Sequence, residues 1–134
     1  MHPTTEYAQK VVKGKIPACR WVIKACERHL LDLKRKDIYF DEDAANQAIV
    51  FFDFLHHIKG EWAKPTRELP HGQTIKLELW QKFVTGSIFG WYKDGVRRFN
   101  TILIFVPRKN AKSTKAAGWA GYCFCADGEE GAEV

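Results

Sequence analysis

The run Pro107-Arg108-Lys109-Asn110-Ala111-Lys112-Ser113-Thr114 is the part of this chain best equipped for chemistry. It joins an apolar stretch, Thr101-Ile102-Leu103-Ile104-Phe105-Val106, to a small-residue segment with Ala116, Ala117, Gly118, Ala120 and Gly121. A buried strand, a loop ending in Lys-Ser and then a helix is the layout of a phosphate-binding P-loop, or Walker A motif. Its pattern G-x-x-x-x-G-K-[ST] aligns on Val106 through Ser113. Lys112 and Ser113 match, while Val106 and Ala111 stand where the pattern has glycine. In such a loop the backbone N–H groups of residues 108–113 form a concave anion nest at the start of the helix. Lys112 would set its ammonium between the β- and γ-phosphates. Ser113 would give its hydroxyl oxygen to Mg2+, and Arg108 would stabilise charge developing at the γ-phosphate. The plainer reading is a basic loop that caps a helix. Ala111 is the weak point, because a left-handed backbone there costs Ala on the order of 1–2 kcal/mol relative to Gly.

A second feature is Leu77-Glu78-Leu79-Trp80-Gln81. A Gln amide offers one donor and one acceptor, which suits the N6 and N7 edge of adenine. Taken alone, the same residues read as a helix start with a buried Trp. Cys19, Cys26 and His29 have a spacing that one helix presents on one face, but zinc needs about four ligands. A fourth would come from Cys123, Cys125 or a distant histidine, and Cys123-x-Cys125 is not a C-x2-C knuckle. The cysteines therefore read as buried apolar thiols.

These residues need elements to position them. Residues 5–13 read as a short helix around Tyr7, Val11 and Val12, broken at Gly14-Lys15-Ile16-Pro17. From Ala18 to Lys36, Cys19, Val22, Cys26, Leu30 and Leu33 recur at helical steps, an amphipathic helix. Asp37-Ile38-Tyr39-Phe40 reads as a link. Asp41 is the N-cap of a third helix, with Glu42 and Asp43 in its first turn. That helix carries Ala44, Ala45, Ala48, Ile49, Phe52 and Leu55 on one side and stops at Gly60. Residues 60–76 form a loop with a polar, mobile stretch at Lys64-Pro65-Thr66-Arg67. A helix over 79–89 turns Phe83, Val84 and Ile88 inward. Asp94-Gly95 marks a hairpin. Residues 101–106 are β-branched and do not alternate, as in a strand buried on both faces of a parallel sheet. Pro107 ends it. A small-residue helix follows to about Ala126. Asp127-Gly128 turns the chain, and Ala132-Glu133-Val134 opens another strand.

The chain has 134 residues, 46% hydrophobic and 13% aromatic, enough for one modest core and against global disorder. No run of about 18 apolar residues is present. The first residues lack the basic and apolar blocks of a signal peptide, so a cytosolic protein is expected. Lys and Arg total 21 against 16 Asp and Glu, a formal charge of +5. The excess clusters at Lys34-Arg35-Lys36, Arg97-Arg98 and Arg108-Lys109. Such a surface meets phosphates or is simply solvated. No zinc-finger, homeodomain or RNP signature is present.

Together these residues resemble the N-terminal part of a tailed-phage large terminase subunit, the ATP-driven DNA-packaging motor. Four blocks carry the resemblance, which runs from about Tyr7 to Val134. The first is Tyr7 to Asp32, including Cys26-Glu27-Arg28-His29. The second is Phe40 to Trp62, with Ala44-Ala45-Asn46 and Lys59-Gly60-Glu61-Trp62. The third spans Trp80-Gln81, Gly86 to Trp91, Gly95 and Arg97-Arg98-Phe99. The fourth is Pro107 to Thr114, closing with Asp127-Gly128-Glu129 and Gly131 to Val134.

The resemblance implies an α/β fold. A helical N-terminal region (1–76) would lead into the first strand, P-loop and helix of a parallel-sheet P-loop NTPase domain (77–134). Gln81 matches the adenine-recognising glutamine. Arg108, Lys109, Asn110, Ala111, Lys112, Ser113 and Thr114 match the nucleotide loop, with Lys112 on the phosphates and Ser113 on Mg2+. Arg108 falls where some members carry a catalytic arginine. The implied cofactors are ATP and Mg2+. The implied partners are double-stranded viral DNA, the small terminase subunit, the portal protein and further copies in a ring, in the host cytoplasm on the procapsid and with no membrane. Two departures from the family pattern are Ala111 for Gly and Leu79 for Pro. The domain reads as truncated. The acidic residues that hold Mg2+ and activate water, the coupling motif and the nuclease domain are expected beyond Val134. This chain alone is then not catalytically complete, and its core rests on the helical region. The competing readings are a non-catalytic prophage remnant that binds DNA or a motor partner, and a different P-loop ATPase such as a helicase. The Gly90-Trp91 and Arg97-Arg98-Phe99 blocks argue against the helicase.

Overall fold

His2 opens the first helix: its Nδ1 accepts from the Thr4 N–H at 3.2 Å, and Pro3 takes the first helical position, where its missing N–H costs nothing. Helix α1 (Pro3–Val12) buries Thr4, Tyr7, Ala8 and Val11, one face at helical spacing, and leaves Val12 exposed. Helix α2 is Arg20–Asp32, and it turns Cys26, His29 and Asp32 inward. Cys19 and Leu33, expected in its apolar stripe, flank the helix as its caps and are exposed. Helix α4 (Leu79–Gly90) brings Phe83 against Tyr7, with ring centroids 5.2 Å apart. Tyr7, Ala8, Val11, Cys26 and Phe83 form the core of these three helices.

The structure, a computed structural model, describes residues 1–128. It divides into two compact units. The first holds Met1–Gln47 and Leu77–Ile102, and the second holds Ala48–Lys76 and the chain from Leu103 onward. Helix α3 (Glu42–Phe51) begins in the first and ends in the second. Asp41 caps it as expected, its Oδ1 accepting from the Ala44 N–H at 2.9 Å. The helix stops before Gly60, passing into a 3-10 turn at Phe52–Phe54.

Among the described residues there is one sheet, three antiparallel strands in the order β1 (Tyr39–Phe40), β2 (Trp91–Lys93), β3 (Val96–Arg97). Asp94 (φ 52°) and Gly95 (φ 78°) make the hairpin turn that their sequence announces, both left-handed. The link at Tyr39-Phe40 is instead a strand: Tyr39 pairs with Tyr92 and Phe40 with Trp91. The expected buried strand over 101–106 is not a strand here. It is extended chain without a ladder, and Leu103 and Phe105 are 90% and 98% exposed. The physical reason is that a sheet-core strand takes its backbone partners and cover from neighbouring strands. Among the described residues, none lies beside it. The further strand expected at Ala132-Glu133-Val134 lies outside the described residues.

In the second unit the 3-10 turn Glu61–Ala63 and backbone bonds from His57 and Gln73 fold residues 55–76 onto themselves. Helix α5 (Lys112–Cys125) sets its small residues against Phe51 and Phe52. Phe52 is fully buried, and a Cβ on Gly118 would lie 2.3 Å from its Cε1. Tyr122 meets the Phe51 ring edge-on at 5.6 Å.

The first unit also encloses a polar pair. The Trp91 indole N–H donates to His29 Nδ1 at 3.2 Å, and Thr5 Oγ1 lies 3.1 Å from His29 Nε2. With Nδ1 accepting, the ring is the neutral tautomer with its proton on Nε2. The rings of Phe40, Phe83 and Trp91 surround it edge-on. Burial first, then His2 nearby, lowers its pKa to about 4.

Two expectations follow. Below pH 6.5 the unfolded chain binds a proton at His29 that the folded state refuses until about pH 4. Stability therefore falls as pH drops through that window, by roughly 3 kcal/mol at its lower end. Urea melts at pH 7, 5.5 and 4.5 will show the falling midpoint, and His29→Gln will flatten it. Gly118→Ala drives a methyl into Phe52 and will lower stability by about 1–3 kcal/mol in the same melts.

Candidate nucleotide site

Residues 107–111 form a tight loop that leads into α5, in the second unit. Lys109 (φ 65°) and Ala111 (φ 54°, ψ 32°) are both left-handed. Two left-handed residues in three curl the backbone, the shape that gathers N–H groups into a concave nest. Ala111 is the helix N-cap and has no side chain with which to cap the first-turn N–H groups of α5, which also lack intrahelical acceptors. The Asn110 amide donates to the carbonyls of Pro107 (3.3 Å) and Arg108 (3.2 Å). Lys112 Nζ folds back to the carbonyl of Val106 at 3.1 Å. The loop thus ties the carbonyls of Val106, Pro107 and Arg108 to its own side chains, while Arg108 and Lys109 stay exposed. That arrangement favours an anion.

Arg108, Lys109, Lys112, Ser113 and Thr114 are all exposed, and Asn110 is half-buried. Their exposure is what a ligand-facing loop requires. Sequence reasoning missed Lys115. It is 1% exposed, and burial lowers its pKa below the usual lysine value.

Gln81 lies in the first unit, at the third position of α4. Its Oε1 accepts from the Glu78 N–H at 2.9 Å while the Glu78 carboxylate accepts from the Gln81 N–H, a reciprocal capping box. The amide is thereby held in one orientation and is largely buried. Residues 77–81 satisfy the plainer reading of a helix start, with Leu77 buried and Trp80 half-buried.

Among the described residues no group of three or more His, Cys, Asp or Glu side chains is placed to hold a metal ion, and the cysteines are free thiols. Among them too, no helix is long and apolar enough to cross a membrane.

Residues 79–129 match the family model of the terminase large subunit, ATPase domain, which bears out the resemblance read from the sequence. No curated protein and no solved structure matches the chain.

The left-handed Ala111 leads to a direct expectation. Ala111→Gly removes the steric cost of that backbone and will raise stability of the second unit by up to about 1 kcal/mol, less the extra entropy of glycine in the unfolded chain. Thermal melts of the two proteins will show it as a higher midpoint for Ala111→Gly.

Proposed function

We propose that this chain carries the nucleotide-binding loop of a phage DNA-packaging ATPase. The observation that supports the reading most is the doubly left-handed loop 107–111 feeding α5, inside the segment that matches the terminase ATPase-domain family. ATP is the ligand of that reading. The loop N–H groups and Lys112 hold its phosphates. Arg108 and Lys109 add positive charge at the mouth, Asn110 keeps the loop closed on its own carbonyls, and Ala111 sets the turn. Ser113 offers its hydroxyl to Mg2+, with Thr114 beside it. Bound Mg2+ would neutralise phosphate charge. Gln81 enters this reading through the family resemblance alone, as the adenine-recognising glutamine; within its own unit its Oε1 accepts from the Glu78 N–H.

In this reading residues 1–76 are the helical N-terminal region, and 77–134 begin the ATPase domain. Segment 101–106 becomes a strand of a parallel sheet once neighbouring strands cover it. Binding and turnover are separate in this reading: the loop binds, and hydrolysis also takes a residue that orients the attacking water. The work done is translocation of double-stranded viral DNA into a procapsid in the host cytoplasm. Its partners are the small terminase subunit, the portal protein and further copies in a ring.

Calorimetry of Mg-ATP on the 134-residue chain tests the reading. The wild type is expected to bind, and Lys112→Ala to lose at least about tenfold in affinity, or 1.4 kcal/mol. Because Lys112 is exposed, melts will show the variant folded. Equal binding by both would remove the site from Lys112, and no binding by either would remove it from this chain.

A further inference from the structure

Most of the chain's net positive charge lies on one helix and its end. Residues 20–36 hold Arg20, Lys24, Arg28, Lys34, Arg35 and Lys36 against Glu27 and Asp32, in a chain whose net charge is +5. Buried Asp32 pairs with Arg98 Nη1 at 2.5 Å and Arg35 Nη1 at 3.4 Å, and Asp37 also pairs with Arg35, so these acids neutralise Arg35 and leave Arg20, Lys24 and Arg28 of α2 uncompensated by them. Arg20, Lys24 and Arg28 follow one another at steps of four and are all exposed. Steps of four on a helix set cations on one face about 6 Å apart.

These cations are also held in place. Trp21 is 66% exposed, and its ring carries Arg20 Cζ at 4.8 Å and Lys24 Nζ at 5.5 Å. Arg28 Cζ lies 5.1 Å over the Phe99 ring, which Arg98 Cζ also meets at 4.9 Å. Stacking on rings removes rotamer freedom from long side chains before any partner arrives. A row of ordered cations on a rigid rod fits a partner whose negative charges are themselves ordered and closely spaced. Duplex nucleic acid presents one charge per about 1.7 Å of its axis. An acidic peptide has no such fixed repeat.

We propose that the outer face of α2, through Arg20, Lys24 and Arg28, docks the phosphate backbone of duplex nucleic acid without reading its sequence. The inference shares the DNA partner with the proposed function but does not use the nucleotide loop. It is tested with no ATP present, so its failure would leave the calorimetric reading standing.

The probe is a labelled mixed-sequence duplex of about 30 base pairs, followed by fluorescence anisotropy between about 50 and 200 mM salt. The wild-type chain will bind with an affinity that falls steeply with salt. In the Arg20→Ala/Lys24→Ala/Arg28→Ala variant the log–log slope will shrink by about 0.9 for each phosphate contact removed, and binding at low salt will weaken. Lys59→Ala, which removes one exposed cation elsewhere, will keep the wild-type slope within about one unit. A triple variant that is folded by circular dichroism and keeps wild-type affinity and slope would overturn the proposal. So would absence of wild-type binding at the lowest salt, or equal affinity for poly-glutamate.

Discussion

The hydrogen bond from the Trp91 indole to His29 Nδ1 is the constraint on which the first unit depends. Both groups are buried, and a buried donor or acceptor left unmade costs on the order of 1–3 kcal/mol. The bond fixes the imidazole tautomer and ties the start of β2 to the last turn of α2. One turn of chain further, the Arg98–Asp32 ion pair repeats the connection. Phe40 stands against both rings of the hydrogen-bonded pair and pairs with Trp91 in the sheet, which is how a two-residue strand finds its register. The helices and the small sheet of this unit therefore share one polar contact enclosed in aromatic rings.

The second unit turns on a different constraint, the left-handed backbone at Ala111. A β-carbon is disfavoured there, yet the turn keeps Lys109 and Ala111 left-handed and starts α5 immediately afterwards. The cost is offset locally. Lys112 and Asn110 each bond loop carbonyls, and the small face of α5 at Gly118 and Gly121 lets Phe51 and Phe52 approach closely. Strain of this kind persists where surrounding contacts over-determine it. The same loop carries exposed cations beside the start of a helix, an arrangement that favours an anion.

Short-range rules made much of this legible in the sequence. The Asp41 cap, the Asp94-Gly95 hairpin and the ends of α4 and α5 each follow from residues within a few positions of one another. Ala111 does take the left-handed backbone on which its cost was conditional. The misreadings share a physical cause as well. Cys19 and Leu33 were placed inside because periodicity counts apolar residues. The packing instead turned His29 and Asp32 inward, where Trp91 and Arg98 meet them from 62 and 66 residues away. No pattern within α2 records those partners.

The sequence by itself determined the starts of α3 and α4, the tight turn of the hairpin, and the residue types of the loop 107–114, because each depends on local backbone sterics and capping. Tertiary structure alone decided which polar groups are buried. It made Tyr39-Phe40 a strand by giving it Trp91 and Tyr92 as partners, and left 101–106 without a ladder. It also lined the cations of α2 along aromatic rings, one of them from the far end of the unit. Pairing and burial are properties of two segments at once, and the chain states them only when it brings those segments together.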